Sequence, residues 1–161
     1  ADDNEIYVDQ VGATANIDLE QLGSGNIIGG LLSAHGSMTN FDLDGTSMTL
    51  DVNQIGNNNK MLGDINADTF TGLFDFDGDT NSYTIQVDPT NANSADSSNV
   101  NVNVDGSTNT MTLDLAKTSL SSGADIDTII QGNTNTVHID LDVDSATRLQ
   151  WGWLCWRIFQ N

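Results

Sequence analysis

The residues whose types and spacing suggest chemistry are acidic doublets. Asp42 with Asp44, Asp75 with Asp77, Asp125 with Asp127 and Asp140 with Asp142 each put two carboxylates on one face of an extended strand. If Asp42 and Asp75 are equivalent positions of stacked repeats, their carboxylates fall about 5–10 Å apart, one or two strand spacings. A hard cation with oxygen ligands would relieve the repulsion. Asp42, Asp44, Asp75, Asp77 and Asp79 are therefore the candidate metal ligands, with Ca²⁺ as the ion, in a chain that requires no cofactor to fold. Asp75-Phe76-Asp77-Gly78-Asp79 opens like a calcium loop but departs from the EF-hand pattern, with Thr80 where glycine is needed and Gln86 where the bidentate Glu belongs. The competing reading of these acids is a solvated anionic face.

Other chemistry is poorly served. Paired carboxylates also flank glycosidic bonds, but acids on a repeating surface meet that spacing by chance. No Gly-x-Ser-x-Gly elbow is present, and the one cysteine, Cys155, excludes an internal disulfide framework. His138, between Thr136 and Asp140, and His35, at Ala34-His35-Gly36, read as exposed polar residues. The glycines precede strands and not helices, so nothing cradles phosphate. The expectation is a protein that is not an enzyme.

The elements that must position these residues follow an eleven-residue register. Gly12, Gly23, Gly45, Gly56 and Gly78 fall on one grid, with Ala34, Ala67 and Pro89 at its remaining points. Small or turn-forming residues at each step predict one chain reversal per eleven residues. Between the reversals, Ile6, Val8 and Gln10; Ile17, Leu19 and Gln21; Leu50, Val52 and Gln54; and Tyr83, Ile85 and Val87 recur two, four and six positions before a grid point. That is strand alternation, with one buried and one wet face. Ile17 to Gly23 is echoed by Leu50 to Gly56, and Phe41 to Gly45 by Phe74 to Gly78, both at a separation of 33 residues. A coil of two or of three such strands is compatible with this. Polar loops at 90–99 and 118–125 interrupt the grid, and strands resume after each.

The predicted fold is all-β: a β-solenoid of about twelve short strands on an eleven-residue strand–turn unit, with an antiparallel meander as the alternative. Residues 1–89 form regular repeats, 90–147 an irregular continuation of the same β domain, and 148–161 an aromatic-rich tail. Stacking accounts for inward amides at Gln10, Gln21 and Gln54, which hydrogen-bond along a column, with Asn26 and Asn59 in the same self-assembly set. The tail holds no acid, two arginines and Trp151, Trp153 and Trp156. It reads as a cap over an open solenoid end, as a docking segment anchored by the three tryptophans, or as a stretch foreign to the native protein.

Gln21-Leu22-Gly23-Ser24-Gly25-Asn26 and Gln54-Ile55-Gly56-Asn57-Asn58-Asn59 resemble the curlin-repeat motif Gln-x-Gly-x-x-Asn, and Gln10-Val11-Gly12 keeps its first half. The resemblance spans residues 5–60, with looser echoes at Asp105-Gly106 and Gln131-Gly132. It implies a secreted strand–arc–strand protein that builds extracellular amyloid fibres. Chains of this acidic, Asn- and Thr-rich style are also similar to curlin-like predicted virion proteins of marine phages.

Charge narrows the partners. With 23 acids against 4 lysines and arginines, the net charge of −19 repels phosphate backbones and argues against nucleic acid. No apolar run approaches a membrane-spanning helix. The expected function is a non-enzymatic structural subunit of an extracellular fibre or a virion surface, partnered by itself or by a virion or cell-surface assembly. The alternative is an acidic calcium- or glycan-binding solenoid module.

Overall fold

A computed structural model describes residues 4–31, 38–39, 41–78, 80–87, 96–115, 121–141, 143–145 and 148–152. Fifteen strands are present among them and no helix. In chain order these are β1 (Asp9–Val11), β2 (Thr14–Leu22), β3 (Ile27–Ile28), β4 (Gly30–Leu31), β5 (Met38–Thr39), β6 (Phe41–Ile55), β7 (Lys60–Asp77) and β8 (Thr80–Val87). They continue as β9 (Asn99–Asp105), β10 (Thr108–Leu115), β11 (Ser121–Ser122), β12 (Asp125–Gln131), β13 (Thr134–Leu141), β14 (Val143–Ser145) and β15 (Arg148–Gly152).

Every ladder but one is parallel, as stacked coils require and a meander forbids. The fold is a β-solenoid with two walls. One wall stacks Ile17, Leu50, Gly72, Val100, Ile126 and Leu149 in register. The other stacks Ile6, Ile28, Met61, Tyr83, Met111 and Val137. Each column therefore climbs through six levels.

Along these columns the basic step is 22 residues, as from Met61 to Tyr83 and from Leu50 to Gly72. Two eleven-residue strands make one coil. The step of 33 from Ile17 to Leu50 is the same coil carrying an extra segment. That segment includes the antiparallel pair β4–β5: the strand begun at Ile28 leaves the ladder by Gly30, and the same wall resumes at Phe41, in register with Gly63. Later coils lengthen at the polar loops, with steps of 28 from Tyr83 to Met111 and 26 from Met111 to Val137. Loops of this kind are tolerated because closure entropy grows only logarithmically with length.

Not every grid point is a reversal that breaks the ladder. β6 passes through Gly45 and β7 through Ala67 with pairing retained on both sides. Each therefore joins two of the expected strands into one. At the opposite arc the chain leaves the strand conformation at Gly23, Gly56, Gly78, Gly106 and Gly132.

The core lies between the walls, where inward residues alternate with outward ones as the period-two pattern dictates. Phe76 of one wall meets Tyr83 of the other face to face, with ring centroids 3.6 Å apart. Large residues are offset by small ones one level away. Phe41 lies over Gly63, where a Cβ would overlap its ring, and within β7 itself Gly72 leaves room for the rings of Phe70 and Phe74. The two core glycines thus keep each level to the same cross-section.

Candidate functional site

The arc that follows the β2/β6/β7 wall is the most regularly built part of the molecule. Gly-x-x-Asn occurs there at Gly23/Asn26, Gly56/Asn59, Gly78/Asn81, Gly106/Asn109 and Gly132/Asn135. The glycines stack so closely that a Cβ at Gly56, Gly78, Gly106 or Gly132 would overlap the carbonyl oxygen of the glycine one level before. The asparagines turn inward from this arc and satisfy carbonyls that the bend leaves out of the ladder. Asn26 donates to Gln21 O at 3.1 Å and Ile55 O at 3.4 Å, and Asn59 to Gln54 O at 2.8 Å and Asp77 O at 3.0 Å. At the next two levels the amides also join one another. Asn81 Nδ2 donates to Asn109 Oδ1 at 2.7 Å, and Asn109 Nδ2 to Asn135 Oδ1 at 2.8 Å. Asn4 belongs to the same row, donating to Leu22 O at 3.0 Å.

Of the expected stacking set, Asn26 and Asn59 lie in this row, and Gln21 and Gln54 form the expected column, with Gln54 Nε2 donating to Gln21 Oε1 at 2.6 Å. Gln10 is not part of that column. It lies in β1 on the other wall, in register with Leu43, and donates at 3.3 Å to Val11 O and to no other amide among the described residues. The eleven residues from Gln10 to Gln21 cross the coil and do not climb it. The glutamine column ends after Gln54, because Phe76 takes the next level. Asn81, Asn109 and Asn135 were legible in the Gly-x-x-Asn spacing, but reading the motif from its glutamine hides them, since Gln is replaced in the later coils; Asn4 stands three residues after Ala1, not a glycine, and carries no such signal.

The acidic doublets do not come together. Asp42 is in register with Asp9 and Asp64 on one wall, whereas Asp75 lies on the other, between Asn53 and Asn103. The resemblance of Phe41–Gly45 to Phe74–Gly78 therefore relates opposite walls of the solenoid, and the two segments are not stacked equivalents. Asn103 Nδ2 donates to Asp75 Oδ1 at 3.0 Å, so amides interleave with acid in that row. Asp77 is in register with Asp105 beside a shallow open groove of about 500 Å³ along the glycine arc. Asp79 lies outside the described residues. Among the described residues no group of three or more His, Cys, Asp or Glu side chains is disposed to hold a metal ion.

The Asp9–Asp42–Asp64 row is nevertheless electrostatically loaded. Burial, then the Asp9 and Asp44 carboxylates, push the Asp42 carboxyl above its usual range. A carboxyl with a raised folded-state pKa binds its proton more tightly in the fold than in the unfolded chain. Its contribution is present in full below the unfolded value of 3.8 and is lost as pH rises through the folded one. Asp42→Asn is therefore expected to raise the melting temperature at neutral pH by about 1–3 °C, the scale of relieving a like-charge cross-strand contact. The gain should shrink as pH falls toward 4. A melting-temperature series of both proteins from pH 4 to 7 checks this, and a gain that grows on acidification contradicts it.

His138 stands outward in β13, in register with Thr112. Tyr83 is buried, and burial pushes its hydroxyl pKa well up, with the Asn59 side chain opposing and Asp77 adding to the rise. It stays protonated as part of the core. Trp151 falls in β15, which continues the ladder by pairing with β12, Trp151 opposite Thr128. Trp153, Trp156 and Cys155 lie outside the described residues, as does His35. No helix among the described residues is long and apolar enough to cross a membrane.

No protein-family model, no curated protein and no solved structure matches the chain.

Proposed function

We propose that this chain is a non-enzymatic structural subunit that stacks end to end with copies of itself, as a curlin-like repeat protein of an extracellular fibre or a virion surface. One observation carries the reading: the ladder is open at both described ends. β1 and β2 pair only with β6, and β13 only with β10, so each has a free edge among the described residues. The inward residues of those end levels are partly buried apolar side chains that continue the core columns: Ile6, Val8, Ile17 and Leu19 at one end, Val137 and Ile139 at the other. The amide row is open as well. Asn135 Nδ2, at the last described level, donates to Gly132 O at 3.3 Å and to no further asparagine among the described residues. A second copy placed on this edge gains the same parallel pairing, apolar stacking and amide bonding that hold successive coils together. The anionic flanks keep such columns apart sideways, so growth is confined to the ends.

Electron microscopy and fibre diffraction of the purified chain test this. The expected result is unbranched filaments with a meridional repeat of about 4.8 Å. Val8→Lys places a charge in the end-level column and should abolish filaments while leaving the monomer folded by circular dichroism. A chain that stays monomeric in sedimentation at every concentration, with no such repeat, would sink the reading.

A further inference from the structure

In a chain with 23 acids and a net charge of −19, one patch of wall carries no charge. β8 presents Thr80, Ser82 and Thr84 outward, β10 presents Thr108, Thr110 and Thr112, and β13 presents Thr134, Thr136 and His138. The strands are parallel, and their registers advance one for one over eight residues without a bulge. The hydroxyls therefore fall in rows: Thr80, Thr108, Thr134; then Ser82, Thr110, Thr136; then Thr84 and Thr112, with His138 completing the third. Seven of the nine residues are exposed, and Thr84 and Thr112 are half-buried. The charges resume only at the margin, with Lys60 beside Ser82 on one side and Asp114 and Asp140 two positions beyond Thr112 and His138.

From these observations we propose that this hydroxyl lattice binds ice. Parallel pairing spaces neighbours within a row about 4.8 Å apart, and successive rows stand about 6.7 Å apart along the strands. Both intervals are close to oxygen repeats on the faces of hexagonal ice. The β-branched threonine is stiff at χ1, so little side-chain entropy opposes holding the hydroxyls in place. Each threonine supplies a hydrogen-bonding oxygen beside a methyl group that binds no water. Carboxylates and ammonium groups, which organise water around themselves in other geometries, are absent from the nine positions. An uncharged ligand also explains why this patch departs from the anionic character of the chain. A sugar polymer, by contrast, usually meets an aromatic platform, and none of the nine is Phe, Tyr or Trp. The patch lies on the outward face of its wall, and its β13 row members keep that face outward when the β13 edge is used in stacking.

The test is uptake of the purified chain into slowly grown polycrystalline ice, beside thermal hysteresis measured on single crystals. The expected result is several-fold enrichment in the ice over serum albumin. Thr110→Lys, at the exposed centre of the array, should reduce uptake to the albumin level with an unchanged melting temperature. His138→Thr should increase uptake, and Asn101→Lys on the other wall should leave it unchanged. Exclusion of the wild-type chain from ice overturns the proposal, as does a Thr110→Lys variant that behaves like wild type. Retention on a neutral polysaccharide such as amylose without ice uptake also overturns it.

Discussion

Asn81→Asp is expected to unfold the solenoid at temperatures roughly 10 °C or more below the wild type at neutral pH, and to recover part of that loss on acidification. The substitution preserves shape and changes only donors and charge. Asn81 is buried, and its Nδ2 donates to Gly78 O at 3.2 Å, Asp105 O at 3.4 Å and Asn109 Oδ1 at 2.7 Å. An ionised carboxylate placed there faces three acceptor oxygens and has no proton to offer. Leaving these groups unpaired beside a buried charge costs about 3–5 kcal/mol. Burial and the surrounding oxygens raise the folded-state pKa of the new carboxyl above its unfolded value of about 3.9. The penalty is therefore present at pH 7 and recedes as pH falls through the folded pKa, where the protonated acid regains one donor. Asn135→Asp is the internal comparison. It is half-buried at the last described level and donates to one carbonyl, so its cost should stay near 1 kcal/mol or less. Thermal melts of the two variants at pH 7 and pH 4 decide the matter. Equal losses at both positions would remove the amide row from the account of stability.

The second large effect is expected at a glycine. Gly78→Ala adds one methyl group where Gly56 O and the Asn59 side chain already stand. Neither neighbour can yield cheaply, since one is backbone and the other is fixed by bonds to Gln54 O and Asp77 O. The coils must separate locally, and the arc hydrogen bond from Gly78 N to Asp105 O shifts with them. A loss of about 2–4 kcal/mol follows, at the upper end for added volume in a packed interior. Gly12→Ala provides the contrast. Its Cβ would meet only Gln10 Nε2, at an ordinary 3.4 Å, so the change should fall within about 0.5 kcal/mol of neutral. Denaturant unfolding of the pair measures the difference, and a Gly78→Ala protein as stable as Gly12→Ala contradicts the close-packed arc.

The contrast between these glycines shows how far the pattern along the chain reaches. An eleven-residue grid marks Gly12, Gly45, Gly56 and Gly78 alike, because each permits a bend. Only stacking distinguishes them. Gly12 is at the first described level, where a Cβ meets no backbone carbonyl, whereas Gly56 and Gly78 each lie against the carbonyl of a glycine below. The asparagines illustrate the same limit. Their three-residue offset from each arc glycine is visible in the chain, yet the carbonyls they satisfy include residues 18 to 29 positions away, at Ile55, Asp77, Asp105 and Gln131.

Local alternation alone determined the all-β class, the inward and outward face of nearly every strand and the positions of the arcs. Those properties depend on side-chain period and backbone freedom within a few residues. Which strand rests on which was decided only in three dimensions. Extra segments of different length leave the ladder at the arcs and between β3 and β6, so separation in sequence no longer measures separation along the stack. Asp42 and Asp75, 33 residues apart, consequently lie on opposite walls, while Gln21 and Gln54, equally far apart, share a hydrogen bond. The hydroxyl lattice has the same origin. Ser82, Thr110 and Thr136 are separated by unequal intervals, and parallel pairing brings them into one row because every residue of β8, β10 and β13 must keep its hydrogen-bonded partner.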